Sequence, residues 1–188
     1  MKKIFKKQLE NIELIIKNLN NDDFQKKLDD ATKIIIDALL QNYPLLVCGN
    51  GGSAADSQHI AGELVGKFYK DRRALNVRAL NTDTSIITAW ANDMSYETIF
   101  SRQVEAYGEV GGVLWVLSTS GNSENIIQAS KKAKEMGMKV IGLTGKGGGK
   151  LVETADVLIT VPTQDTPRIQ ELHTMIYHYI CEEIERNI

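Results

Sequence analysis

Residues Leu45 to Val65, LLVCGNGGSAADSQHIAGELV, join a phosphate-sized polar loop to a helix that carries an imidazole and a carboxylate. Leu45 to Cys48 is apolar enough for a buried strand, and Gly49, Gly51 and Gly52 let the backbone turn tightly and approach a ligand without side-chain clash. Ser53 is expected to cap a helix beginning near Ala54. His59 and Glu63 then share one helical face, where they suit one metal ion or one substrate. A satisfied polar pair on a helix surface has the same spacing.

Outward from this unit the chain alternates strand and helix. Short apolar runs at Leu45–Cys48, Asn76–Leu80, Val113–Ser118, Val140–Leu143 and Val157–Val161 predict five strands of a parallel sheet covered on both faces. Helices are expected at Ser53–Lys67, Thr84–Ala91, Tyr96–Tyr107, Ser123–Met136 and Pro167–Arg186, with Gly137 ending the fourth in a left-handed conformation. The fold class is therefore α/β: a doubly wound, flavodoxin-like domain with helices on both faces. Ligands in such sheets collect beyond the carboxyl ends of the strands. The loops at Gly49–Ser53, Asn81–Ser85 and Thr119–Ser123 fall there, and Asn92 and Asp93 are within reach of the same rim.

Two amphipathic segments precede the first strand. Lys3–Leu19 repeats Ile4, Phe5, Leu9, Ile12, Ile15, Ile16 and Leu19 at helical spacing, and Asp23–Gln41 does so with Phe24, Leu28, Ala31, Ile35 and Leu39. The expectation is one domain over residues 1–188 whose helical pair, 1–42, is used in oligomer packing.

The second polar loop, Ser118, Thr119, Ser120, Gly121, Asn122 and Ser123, follows one strand and precedes a helix. Its hydroxyls, its backbone N–H groups and the positive end of the helix dipole suit a phosphate monoester. An ordinary Ser/Gly turn with a helix cap uses the same residues. Neither loop has the GxGxxG order or the GKS/GKT ending of a nucleotide site, and Gly145–Gly149 reads as a mobile connection. A dinucleotide-dependent redox enzyme is a poor fit.

The other two histidines, His173 and His178, lie in the last helix with Gln170, Glu171, Tyr177 and Glu182. Histidine, glutamate and glutamine can form an oxygen and nitrogen metal shell, although no HExxH signature is present. Gln170 and His178 are roughly 12 Å apart along a regular helix and diverge by about 80°. If both are ligands of one ion, different subunits supply them.

The net charge of -2, with mixed signs, gives no reason to expect nucleic acid or an anionic membrane as partner. No segment has the roughly 20 apolar residues of a bilayer span, and no export signal is visible at the N-terminus. Cys48 and Cys181 read as reduced, packed thiols. A cytoplasmic location is expected.

CGNGGSAADSQHIAGEL, AWANDMSYETIFSRQV, LSTSGNSENI and TPRIQELHTMIYHYICE together resemble the sugar isomerase (SIS) domain family, and within it the bacterial phosphoheptose isomerase subgroup. The resemblance implies substrate contacts at Gly51, Gly52, Ser53, Asn92, Asp93, Ser118, Thr119, Ser120, Ser123 and Gln170. It implies one zinc per active site, held by His59, Glu63, Gln170 and His178, with Glu63 and His178 as the catalytic pair. It also implies a homotetramer with active sites between subunits, and conversion of sedoheptulose 7-phosphate into D-glycero-D-manno-heptose 7-phosphate through an enediol, toward lipopolysaccharide or capsule heptose. The alternatives are a non-catalytic SIS-domain protein that binds the bacterial replication initiator, and a phosphosugar-binding regulator. Retention of all four zinc positions favours the enzyme.

Overall fold

Two-sided burial governs the sheet. In the computed structural model, which describes residues 4–188, strands β1 (Leu45–Gly49), β2 (Val77–Ala79), β3 (Val113–Ser118), β4 (Lys139–Thr144) and β5 (Val157–Thr160) are all parallel, in the order β2-β1-β3-β4-β5. This is the expected doubly wound, flavodoxin-like sheet. Alternate residues feed two cores: Leu45, Val47, Trp115 and Leu117 point to one, and Leu46, Cys48, Leu114 and Val116 to the other. Both faces are dry, which is why these strands read as unbroken apolar runs.

Helices α2 (Asp22–Leu40), α3 (Gly52–Val65) and α7 (Thr166–Asn187) cover the first face. The other face is covered by α5 (Ile99–Tyr107) and α6 (Glu124–Glu135), with α4 (Thr84–Asp93) at the margin, where it buries no residue fully. Gly137 follows α6 at φ 75°, as expected of a left-handed terminator. The single helix expected over Tyr96–Tyr107 is divided. Ser95 caps a short 3-10 turn at Tyr96–Thr98 and α5 starts at Ile99, with Thr98 Oγ1 accepting from Trp90 Nε1 at 2.9 Å.

The two N-terminal helices behave differently. Leu28, Ala31, Ile35 and Leu39 of α2 are buried against α7 and the sheet of their own chain. Helix α1 (Ile4–Leu19) buries only Ile15 and Leu19 and leaves Ile4, Phe5, Leu9, Leu14 and Ile16 exposed. The helix start expected at Lys3 lies outside the described residues.

Register places the functional rim. Leu45 pairs with Val113 and Gly49 with Leu117, so the loops after β1 and β3 leave the sheet at nearly the same level. The strand order reverses between these neighbours, which opens a crevice past their carboxyl ends. No helix among the described residues is long and apolar enough to cross a membrane.

Candidate active site

The β1–α3 turn is made by close backbone approach. A Cβ on Gly49 would stand 2.5 Å from the Ser53 carbonyl oxygen, and Gly51 takes φ 56°. That turn brings the chain into the helix earlier than the sequence reading has it. Gly51, not Ser53, is the capping position; it offers no side-chain bond, and Ser53 sits buried in the first turn. Gly52 faces Gln170, whose amide occupies the space a Cβ would need.

Asparagines tie the loops together. Asn50 and Asn125 exchange hydrogen bonds at 2.8 and 2.9 Å, and Tyr96 donates to Asn50 Oδ1 at 3.2 Å. Asn81 Nδ2 donates to the Gly49 carbonyl at 2.8 Å. Asn50 and Asn125 carry no ligand-type signal of their own in the sequence. Only the placement of β1 beside β3 reveals their role.

In the β3–α6 loop Ser118 Oγ accepts from Gly121 N at 3.2 Å and lies 3.4 Å from Ser123 Oγ, at the N-terminus of α6. Thr119 and Ser120 line a cavity of about 460 Å³ with Asn122, Lys146, Gly147, Gly149, Gln164 and Thr166. The glycine run expected to be a mobile connection forms one wall of it. Gly145 N donates to Thr119 O, Lys150 N to Asn122 Oδ1 and Leu151 N to Gly121 O, while the Gly148 carbonyl packs where Gly121 would carry a Cβ. Lys146, set aside with that run for want of a following Ser or Thr, is thereby a cation at this rim.

The α3–α7 seam holds the titratable groups. His59 Nε2 lies 3.0 Å from Glu63 Oε1 and 3.5 Å from His178 Nε2, and ligand atoms of the three residues all fall within 4.8 Å of one another. Helical spacing made the first contact legible; the second joins residues 119 positions apart. Tyr177 OH is 2.9 Å from His59 Nδ1 and 3.5 Å from Asp56 Oδ1. Burial raises the Tyr177 hydroxyl above its ordinary value and keeps it protonated. Partial burial, then the neighbouring His59, holds His178 below the usual imidazole value against the opposing pull of Glu63.

Gln170 stands apart from this cluster in its own chain. It meets Gly52, about two helical turns before His59. Asn92 and Asp93 bond each other at the end of α4, and Asp93 lines a separate groove of about 560 Å³ between α4 and α5. His173 is fully buried in the core, where desolvation, only partly offset by the Thr144 backbone, pushes its pKa down to about 4. Cys48 and Cys181 are buried, unpaired thiols, and burial raises both.

One further arrangement fixes the segment after α3. The Glu185 carboxylate accepts from the N–H groups of Phe68, Tyr69 and Lys70 at 2.6–2.9 Å and lies 3.2 Å from Arg72 Nε, with both side chains of the ion pair buried. Burial pushes this carboxyl up, and the three backbone donors with Arg72 more than reverse it, leaving it below its ordinary value. Phe68 is thereby held beside His178, with ring centroids 5.8 Å apart.

A parallel sheet with two hydroxyl- and glycine-rich loops and a His/Glu/His cluster past its strand ends matches a known class of domain: the SIS domain model covers residues 8–145. The chain is 48% identical to a phosphoheptose isomerase of Clostridium acetobutylicum, across 100% of this chain and 96% of that one. It is 46% identical to one of Helicobacter pylori, across 88% and 86%. The solved phosphoheptose isomerase of Francisella tularensis superposes with a TM-score of 0.93 at 34% identity, covering 97% and 96% of the two chains. That of Neisseria gonorrhoeae gives 0.86 at 40%, covering 97% and 95%. The chain belongs to the SIS-domain family, and within it to the phosphoheptose isomerases.

Proposed function

We propose that this chain interconverts sedoheptulose 7-phosphate and D-glycero-D-manno-heptose 7-phosphate at the α3–α7 seam. It is an enzyme of the phosphoheptose isomerase class, an intramolecular sugar isomerase. The observation that carries the residue assignment is the meeting of His59, Glu63 and His178 in one cluster between α3 and α7.

The reaction moves one proton between neighbouring carbons. Glu63 takes the C1 proton; the electron pair closes the C1–C2 double bond while the C2 oxygen gains a proton from His178. His178 then removes the O1 proton as Glu63 returns a proton to C2, and both groups end as they began. His59 engages Oε1 of Glu63, so Oε2 is the oxygen assigned to the base. The loops Gly51–Ser53 and Ser118–Ser123 hold the distant phosphate, and binding energy spent there fixes C1 and C2 against the seam.

His59, Glu63 and His178 fit a zinc ion, offering nitrogen and oxygen donors close enough to share it. Zinc bound there supplies Lewis-acid stabilisation of negative charge on the reacting oxygens. Gln170, set at Gly52 in its own chain, serves as the fourth donor from a second copy. The exposed apolar face of α1 supports packing of residues 1–42 between copies, in a homotetramer with shared sites. Asn92 and Asp93 would contact substrate in that assembly.

The test is incubation with sedoheptulose 7-phosphate and identification of the product by NMR. Appearance of the aldose heptose 7-phosphate is expected. No turnover, with tight binding of the replication initiator instead, would favour the non-catalytic alternative.

A further inference from the structure

Tyr177 carries a hydroxyl where packing alone would be served by phenylalanine. The ring is 1% exposed and sits in the core between α3 and α7. Its oxygen nevertheless lies 2.9 Å from His59 Nδ1, on the side of the imidazole away from Glu63. Asp56 stands beyond it, with Oδ1 3.5 Å from the hydroxyl and Oδ2 buried without a partner. An acceptor with spare capacity therefore backs the tyrosine.

The hydrogen bonds of His59 constrain its tautomer. With the ring neutral and Glu63 ionised, the 3.0 Å contact to Glu63 Oε1 puts the hydrogen on Nε2, and Nδ1 then accepts from the Tyr177 hydroxyl. To ligate a metal through Nε2, the neutral imidazole must carry its hydrogen on Nδ1 instead. Nδ1–H then needs an acceptor, and among the described residues the same tyrosine oxygen is the hydrogen-bond partner of that nitrogen, with its own hydrogen free to turn to Asp56.

We infer that Tyr177, backed by Asp56, is a positioning residue that lets His59 exchange tautomers when the metal binds. A hydroxyl is both donor and acceptor, so it satisfies either form of the ring, whereas a carbonyl or an ammonium serves only one. The protons balance: one leaves Nε2 for water, one reaches Nδ1 through Tyr177 with replacement from water, and imidazole and phenol both stay neutral. The inference rests on the zinc reading of the His59, Glu63 and His178 cluster. Outer partners of this kind set metal affinity through ligand orientation and basicity, typically by about 10–100-fold.

Zinc affinity of wild type, Tyr177→Phe and Asp56→Ala, measured by competition with a fluorescent chelator, separates the two readings. Binding about tenfold or more weaker in Tyr177→Phe, with an unchanged circular dichroism spectrum and a smaller loss in Asp56→Ala, is the expected result. Equal affinity in wild type and Tyr177→Phe overturns the inference and leaves the zinc site standing. Wild type that takes up no zinc overturns both. Nitrogen-15 shifts of His59 in the wild-type protein give a check that needs no variant. The hydrogen is expected on Nε2 without zinc and on Nδ1 with it, and the same tautomer in both states overturns the inference.

Discussion

The two ends of α3 are built by opposite means. At its N-terminus the structure relies on backbone: glycines without a Cβ, N–H groups, and asparagines that bond one loop to the next. Two turns on, the helix relies on side chains that work only because α7 lies alongside. On the proposed function, added bulk at Gly49 or Gly52 should be felt at the N-terminal end, and a change of functional group at His59, Glu63 or His178 should be felt at the seam.

The sharpest way to break this contrast is at the seam. Glu63→Gln and His178→Gln should each lower kcat by about 10²–10⁴-fold with the fold intact, read by steady-state kinetics and circular dichroism. Near-wild-type turnover in either would remove that residue from the chemistry. Glu185→Ala should cost about 3–5 kcal/mol in denaturant unfolding, because it leaves the buried Arg72 charge without its carboxylate and releases the three backbone donors of residues 68–70. Loss of stability without loosening of the segment beside His178 would show that the seam does not depend on this anchor.

The pH dependence of stability offers a smaller effect. His173 binds its proton at about 4 in the folded state against 6.5 when unfolded, so the unfolded chain binds more protons between these values. The stability present above pH 6.5 should fall by roughly 2–4 kcal/mol as pH drops from 6.5 through 4. His173→Leu should flatten much of that slope in chemical denaturation at stepped pH, and an unchanged slope would point to other groups.

The smallest effects grade the N-terminal end of α3. Gly49→Ala drives a Cβ against the Ser53 backbone and should cost about 1–3 kcal/mol and raise KM. Gly51→Ala meets no atom within 4 Å and pays only for its positive-φ backbone at φ 56° and ψ -121°, about 1–3 kcal/mol. Equal losses at the two positions would show that conformation, not close approach, shapes the loop.

Legibility followed the same division. The strands were readable because two-sided burial leaves unbroken apolar runs, and His59 with Glu63 because helical spacing is local. Ser53 was misread as a cap because serine before a helix signals one, and the sequence does not show that Gly51 starts the helix earlier. The glycine run at 145–149 resembled a flexible linker, since its contacts with Thr119, Gly121 and Asn122 are set by the pairing of β3 with β4. Tyr177 was visible only as a neighbour of His173 and His178 in the last helix, and Asp56 carried no signal of its own, because the α3–α7 contact alone joins them to His59.

On the proposed function the seam acts as one metal-assisted centre. Its most direct test is the rate of sedoheptulose 7-phosphate isomerisation by protein stripped with a chelator and then reloaded with zinc. Loss of activity on stripping, with recovery at about one zinc per chain, is the predicted result. Full activity in protein shown to be metal-free would contradict it.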